Sequence, residues 1–265
     1  SFSDAAEKFI RSQAPGWKNP KHKDQWLNTL ATYAYPTLGA MVVADIDTRD
    51  VLGVLQPIWY EKTETAKRLR GRIEMILDAT TAQGLREGPN PARWKGHLSL
   101  TLPKPSRITR VQHHKSLPPD HVPRLWQSLL AAQGLGAIAL QLLLLTCTRS
   151  GEVRGATWDE IDLSTRAWTI PASRMKSGKE HRIWLSTPAL HLLSSLERTG
   201  PLVFPGSKGQ PLSDMTLSAV MRRLKSSAVP HGLRSSFRTW AAESTNHPRE
   251  VCEQCLAHTT GSDVE

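Results

Sequence analysis

The 265-residue sequence predicts a mainly α-helical protein of two domains, with a small three-stranded antiparallel sheet in the second domain. Three observations predict this fold class. Apolar residues recur at helical spacing in both halves of the chain. A stretch rich in Pro and in basic residues separates the two halves. Three short segments rich in β-forming residues, each with a Trp, interrupt the second half.

The first domain is expected over residues 1–86 and contains four predicted helices. Ser3 and Asp4 are good N-cap residues for the first helix, Thr48 or Asp50 for the third, and Gly84 ends the fourth. The predicted helices share an apolar stripe at a spacing of three or four residues. They are FSDAAEKFIRSQ, KHKDQWLNTLATY, TRDVLGVLQPIW and TETAKRLRGRIEMILDATTAQG.

The fourth predicted helix carries basic residues on the face opposite its apolar stripe. These are Lys67, Arg68, Arg70 and Arg72. Such a face is usually only solvated, but in a basic chain it can also contact phosphate groups, and both interpretations stay open.

A linker is expected over residues 87–118, because prolines and basic side chains dominate this stretch. Lys104, Arg107 and Arg110 would contact a DNA backbone if the linker lies along one. The alternative is a plain solvated tether.

The second domain is expected over residues 119–265. Its helices are predicted in DHVPRLWQSLL and GAIALQLLLLTCT before the sheet, and in STPALHLLSSLERTG, LSDMTLSAVMRRLKSS, GLRSSFRTWAAES and HPREVCEQCLAH after it. The predicted strands are GATWDEID, RAWTIPA and EHRIWLS.

The charge balance favours a polyanionic partner. With 34 Lys and Arg against 24 Asp and Glu, the formal net charge is +10. Nucleic acid or an anionic membrane surface would suit it, although a merely basic enzyme would also fit. No apolar run reaches the length of about 18 residues that a bilayer requires. Three cysteines argue for a reducing compartment and against a disulfide framework.

The first chemical motif is TCTRSGEVRGATW, in which Arg149 follows an apolar helix. A buried guanidinium group needs an anion, because an unpaired buried charge is too costly. Taken alone, the motif favours an internal ion pair with Glu152. The alternative is a bidentate clamp on phosphate with Glu152 in support.

The second motif is PHGLRSSFRTW, in which His231 and Arg234 share one face at the start of a helix. Cations are disfavoured at that end of the helix dipole, so the pair favours an anion site. The third is SRMKSGKEHRI, which places Lys176 in the turn between the second and third strands. A Lys at the tip of a hairpin is normally solvated, but it can also reach a neighbouring phosphate or a minor groove of DNA.

Together and in this order, the motifs resemble the tyrosine recombinases, and most closely the P4-type integrases of prophages and genomic islands. TRSGEVRGATWDEID, RMKSGKEHRIWLS, PHGLRSSFRTWAAE and NHPREVCEQCLAH carry the likeness across the second domain. The first domain resembles the helical, SAM-like core-binding domain of the same proteins. The resemblance implies a core-binding and a catalytic domain that clamp DNA.

The resemblance implies site-specific cleavage and rejoining of duplex DNA through a 3′-phosphotyrosyl link, to integrate or excise a prophage or genomic island. Arg149 and Arg234 match the two catalytic arginines, and Glu152 matches the acidic support of the first. Lys176 matches the hairpin lysine, His231 the first residue of the H-x-x-R pair, and His258 the later His/Trp position.

The nucleophilic tyrosine is expected just beyond Glu265, because Tyr33, Tyr35 and Tyr60 all lie in the first domain. The chain as printed would then bind DNA without forming the covalent link. An upstream arm-binding domain is also expected to be missing, and the absence of an initial Met suggests a fragment.

The resemblance implies double-stranded attachment sites as substrate, a tetramer on DNA when full length, and DNA-bending accessory proteins as further candidate partners. It implies no metal, no cofactor, no membrane and a bacterial cytoplasmic or nucleoid location. Two other functions stay open: a non-catalytic DNA-binding module and a type IB topoisomerase. Zinc at Cys252, Cys255 and His258 is disfavoured, because the chain lacks a second CxxC motif.

Overall fold

The computed structural model describes residues 1–17, 20–109 and 114–258. The chain divides into two compact units, Ser1–Gln112 and His113–Glu265. The predicted fold class is confirmed, because helices dominate the described residues and three short strands form an antiparallel sheet in the second unit. No helix in these ranges is long and apolar enough to cross a membrane.

The N-terminal unit is built from helices around one apolar core. They are α1 (Phe2–Gln13), α2 (Pro20–Thr29), α3 (Tyr35–Leu38), α4 (Thr48–Trp59), α5 (Thr63–Ala82) and α6 (Pro105–Ile108), with a π-helical turn at Leu30–Ala34. The N-caps of α1 and α4 are Ser1 and Asp47, not the predicted residues. In both helices the expected cap residues Asp4 and Asp50 complete a capping box from the third helical position.

Most of the expected linker packs against the N-terminal unit. Ala92 and Leu98 are fully buried, and Trp94 stacks on Trp59 with ring centroids 5.6 Å apart. The Trp59 indole also donates a hydrogen bond to the Pro103 carbonyl at 3.0 Å. The part of the expected linker up to Pro103 is therefore anchored on the N-terminal unit by its apolar side chains.

The outward basic face predicted for α5 needs correction at two positions. Arg72 is only 6% exposed, lies over the Trp26 ring, and donates to the Gln25 carbonyl at 2.7 Å. Arg70 pairs with Glu74 at 2.6 Å and also donates to a backbone carbonyl. Both guanidinium groups already have partners within the unit, which disfavours the expected phosphate contacts.

Four of the other residues predicted to contact DNA are exposed. Lys67 and Arg68 are exposed and pair with Glu64, while Lys104 and Arg107 are exposed near α6. Arg110 lies outside the described residues.

The C-terminal unit packs around one largely buried helix, Leu135–Thr146. Its helices are α7 (Val122–Leu130), α8 (Leu135–Thr146), α9 (Ser150–Arg154), α10 (Thr187–Ser194), α11 (Thr216–Arg223), α12 (Gly232–Ser244) and α13 (Arg249–Cys255). Its strands are β1 (Ile161–Asp162), β2 (Ala167–Ile170) and β3 (His181–Trp184), in the order β1-β2-β3. The first strand is shorter than predicted, because Trp158–Glu160 forms a 3₁₀ turn.

Two features of this unit position the motif residues. Trp168 on β2 is fully buried, pairs with Ile183 across the sheet, and thereby fixes the register of the β2–β3 hairpin. At the end of α8, Cys147 takes a left-handed conformation with φ 53°, which ends the helix just before Arg149.

Candidate active site

Arg149 and Glu152 form a tight pair at the start of α9. The Glu152 carboxylate, only 4% exposed, accepts from the backbone N–H of Arg149 at 2.7 Å and from its Nη1 at 2.9 Å. This is the ion pair that the sequence predicts. The guanidinium itself stays partly exposed, and its Nη2 donates to the Ala257 carbonyl at 3.3 Å.

Arg234 lies on α12 and is 5% exposed. Its guanidinium donates to the carbonyls of Cys147 and Leu256, which lie at the C-terminal ends of α8 and α13. Both helix ends carry partial negative charge, which offsets the cost of burying the cation. Burial lowers the pKa of Arg234, and the nearby charge of Arg149 lowers it further.

His258 completes the group through contacts on both ring nitrogens. Its Nδ1 lies 2.6 Å from Oε2 of Glu253, and its Nε2 lies 3.3 Å from Nη2 of Arg234. Because a carboxylate only accepts and a guanidinium only donates, these contacts require the neutral tautomer with the proton on Nδ1. Hydrogen bonds from His258 and then Arg238 lower the pKa of Glu253.

His231 is exposed at the N-terminal end of α12, with its ring edge-on to His114 at 4.6 Å between centroids. Desolvation lowers the pKa of His231, and the charges of His114, Arg234, Arg149 and His258 lower it further. His231 therefore belongs to the same electropositive cluster as the two arginines.

Lys176 lies outside this hydrogen-bonded group, exposed on the turn closed by the Gly178 N–H and the Met175 carbonyl at 3.1 Å. Its two neighbours, Met175 and Ser177, line a cavity of about 600 Å³ that His258 and Ala257 also line. The turn that carries Lys176 thus borders the cluster of arginines and histidines.

The structure brings together five of the six predicted residues: Arg149, Glu152, His231, Arg234 and His258. It also shows residues that the sequence did not single out. Glu253 holds His258, Arg238 donates to the Glu253 carboxylate at 2.8 Å, and His181 on β3 hydrogen-bonds the backbone of Cys255. Of these, only Glu253 had a local signal, since it is an acidic residue five positions before the predicted histidine.

The cysteines near the cluster do not add chemistry. Burial raises the pKa of Cys147 to about 12 and also raises the pKa of Cys255, so neither thiol is an activated nucleophile. Within residues 1–17, 20–109 and 114–258, no group of three or more His, Cys, Asp and Glu side chains is arranged to hold a metal ion.

Both units of the chain match known integrase domains. The model of the phage integrase central domain matches residues 2–97, and that of the phage integrase family matches residues 115–265. The chain belongs to the phage integrase family, and its class is that of the tyrosine recombinases.

Individual relatives agree with this assignment. The prophage integrase IntZ of Escherichia coli K12 is 32% identical over 97% of this chain and 63% of its own length. The integrase of Enterobacteria phage P4 is 27% identical over 92% of this chain and 59% of its own length. This chain therefore spans only about three fifths of these curated relatives.

Solved structures share the fold. A lambda integrase tetramer bound to a Holliday junction matches with a TM-score of 0.72 and 18% identity, over 99% of this chain and 79% of that one.

Proposed function

We propose that the protein is a site-specific recombinase that cleaves and rejoins duplex DNA to integrate or excise a prophage or genomic island. The observation that supports this best is the convergence of Arg149, Arg234 and His258, which come from three separate parts of the chain. A cluster of fixed cationic donors is what a phosphorane-like transition state requires, because negative charge develops on its equatorial oxygens.

In the proposed reaction, a tyrosine oxygen attacks the scissile phosphorus as the bond to the 5′-oxygen breaks. The 3′-phosphotyrosyl link that forms conserves the bond energy for rejoining. Arg149 and Arg234 neutralise the charge on the phosphate, and the pairing of Glu152 with Arg149 sets the direction of that guanidinium. His258 lies beside Arg234 and contacts the same oxygens.

Two proton transfers complete this scheme. Lys176 donates a proton to the leaving 5′-oxygen, and His231 accepts the proton of the tyrosine or holds a phosphate oxygen. The lowered pKa of His231 suits a base, because it keeps the ring neutral near pH 7. No metal or cofactor is assigned, since the guanidinium groups supply the positive charge that an ion would bring.

We propose that the nucleophile is a tyrosine C-terminal to Glu265. The three tyrosines of this chain, Tyr33, Tyr35 and Tyr60, all lie in the N-terminal unit. The 265 residues alone would then bind DNA but form no covalent adduct. The working form would be a tetramer on two duplexes in the bacterial cytoplasm, by analogy with the lambda integrase tetramer.

A suicide-substrate assay on full-length protein tests this function. The probe is a nicked duplex that carries the junction sequence flanking the encoding element. Wild-type protein should trap a covalent adduct, while Arg149→Ala and Arg234→Ala should lose it and still bind the duplex. Arg198→Ala is the matched control, because it removes an equal charge from an arginine that only covers Trp158.

Adducts that persist in both active-site variants would contradict the assignment. Duplex binding without any adduct in wild-type protein would favour the non-catalytic DNA-binding module instead. A type IB topoisomerase would relax supercoiled DNA without paired sites.

A further inference from the structure

Arg174 links the turn that carries Lys176 to the pair formed by Arg149 and Glu152. It lies on the 3₁₀ turn that follows β2, two residues before Lys176. One end of its guanidinium, Nη1, contacts both carboxylate oxygens of Glu160, and the other end, Nη2, donates to the Glu152 carbonyl. One side chain therefore joins both motifs.

The surroundings of Arg174 hold the guanidinium in place. Glu160 is 8% exposed and also accepts from the buried Trp168 indole at 3.0 Å. On the other side, a Cβ at Gly155 would lie 3.0 Å from Nη2 of Arg174, so the glycine leaves room for the close approach. The fork geometry is specific to arginine, since a lysine amine cannot bridge two acceptors in this way.

The path from Arg174 to Lys176 is short and well anchored. Met175 is 6% exposed in the core, and its N–H donates to the Ala172 carbonyl at 3.2 Å. Gly178, with φ 70°, closes the turn onto the Met175 carbonyl. A shift of the Arg174 guanidinium would therefore move the base of the turn on which Lys176 sits.

We propose that Arg174 is a positioning residue for Lys176: it holds the hairpin at a fixed place relative to α9, so that the Lys176 amine reaches the leaving 5′-oxygen. This inference rests on the proposed function, in which Lys176 is the general acid. Arg174 itself contacts neither the phosphate nor the nucleophile in this scheme.

The test compares two leaving groups in full-length protein. One suicide duplex carries the ordinary 5′-oxygen at the scissile phosphate, and the other carries a bridging 5′-sulfur. In the second, the tyrosine oxygen bonds to phosphorus as the phosphorus–sulfur bond breaks. A thiol has a pKa of about 8.5, so the sulfur leaves as thiolate without a proton from Lys176.

Arg174→Lys should slow cleavage of the oxygen substrate about 10-fold or more, given that general acids contribute about 10²–10⁴-fold. Cleavage of the sulfur substrate should stay within about 3-fold of wild type, as it should for Lys176→Ala. Arg149→Ala should slow both substrates, because phosphate stabilisation is needed for either leaving group. Arg166→Lys is the matched control, since Arg166 lies at the other end of β2 and its guanidinium donates to the Thr187 hydroxyl, away from the Lys176 turn.

Equal slowing of both substrates by Arg174→Lys, or no slowing at all, would overturn the positioning role. Absence of any adduct in wild-type protein with either substrate would instead refute the proposed function. If Arg174→Lys fails to fold, Glu160→Gln loosens the same guanidinium and should give the same selective loss on the oxygen substrate.

Discussion

Nη2 of Arg234 lies 3.3 Å from Nε2 of His258, although Arg234 lies on α12 and His258 follows the end of α13, 24 positions later. The contact depends on Glu253, which holds the other ring nitrogen of the histidine. The three side chains therefore form one connected hydrogen-bonded group.

Glu253→Gln should slow formation of the covalent adduct about 10-fold while duplex binding is unchanged, because a hydrogen bond to a charged group contributes about 1.5–3 kcal/mol and this one orients His258. An amide in place of the carboxylate no longer fixes the proton on Nδ1 of His258. Adduct formation in single turnover measures this. Glu250→Gln is the control, since Glu250 is exposed on the same helix, and an equal loss there would contradict the role of Glu253.

Glu152→Ala should destabilise the C-terminal unit by about 3 kcal/mol, because it leaves the Arg149 guanidinium without its partner and removes a buried N-terminal cap interaction. Urea unfolding followed by tryptophan fluorescence gives the change in the free energy of unfolding. Glu197→Ala, at an exposed position, should change it by less than about 0.5 kcal/mol. Comparable losses in the two variants would show that the Glu152 contacts contribute little to stability.

Trp168→Ala should cost about 3–5 kcal/mol, as expected when a large, fully buried aromatic side chain is removed. Trp184→Ala on the neighbouring strand should cost far less, because Trp184 is 67% exposed and only stacks with Arg182. The rate of amide hydrogen exchange in β2 measures the difference: it should rise in Trp168→Ala and change much less in Trp184→Ala. Similar protection in both variants would argue against Trp168 as the anchor of the sheet.

The folded-state pKa of His231 should lie below the ordinary value of about 6.5. The unfolded chain then binds more protons between the two pKa values, so stability is fully present above about pH 6.5 and falls as the pH drops towards the folded-state pKa. An NMR titration of the imidazole measures the shift directly. His114→Ala should raise the pKa of His231, and an unchanged value would exclude the contact between the two rings.

The double variant Lys67→Ala with Arg68→Ala should reduce the salt dependence of duplex binding. If both side chains contact phosphates, the slope of log K against log salt should fall by about 1.8, or about 0.9 per contact. Arg72→Ala should leave the slope unchanged and instead destabilise the N-terminal unit, since its guanidinium is buried against Trp26. If the slope changes for Arg72→Ala but not for the double variant, the assignment of Lys67 and Arg68 as the phosphate contacts would be wrong.

Local patterns were sufficient for most helices and for the motif residues. The inward positions predicted for α5, among them Leu69, Ile73 and Ile76, are fully buried, because helical spacing alone decides which face is apolar. Arg149, Glu152, His231, Arg234 and His258 could be named from their motifs, and the structure gathers them, but their catalytic roles stay predictions.

Tertiary packing explains what local patterns missed. Composition favoured a linker at residues 87–118, yet Ala92, Leu98 and Leu102 in its first half are buried in the N-terminal core. The Arg72 side chain points inward because it contacts the Trp26 ring and the Gln25 carbonyl of α2, which lie far earlier in the sequence. The link from Arg174 to Glu152 likewise joins residues whose spacing carries no motif.

The guanidinium groups of Arg149 and Arg234 already donate to backbone carbonyls, and this affects how tightly they would bind phosphate. Leu256 and Ala257 already accept the hydrogen bonds that a phosphate oxygen would take. If a phosphate binds the N–H groups that now donate to these carbonyls, those hydrogen bonds contribute only the difference between a neutral and a charge-assisted bond. Isolated phosphate should bind weakly, and tight binding has to come from the many other contacts that a long duplex provides.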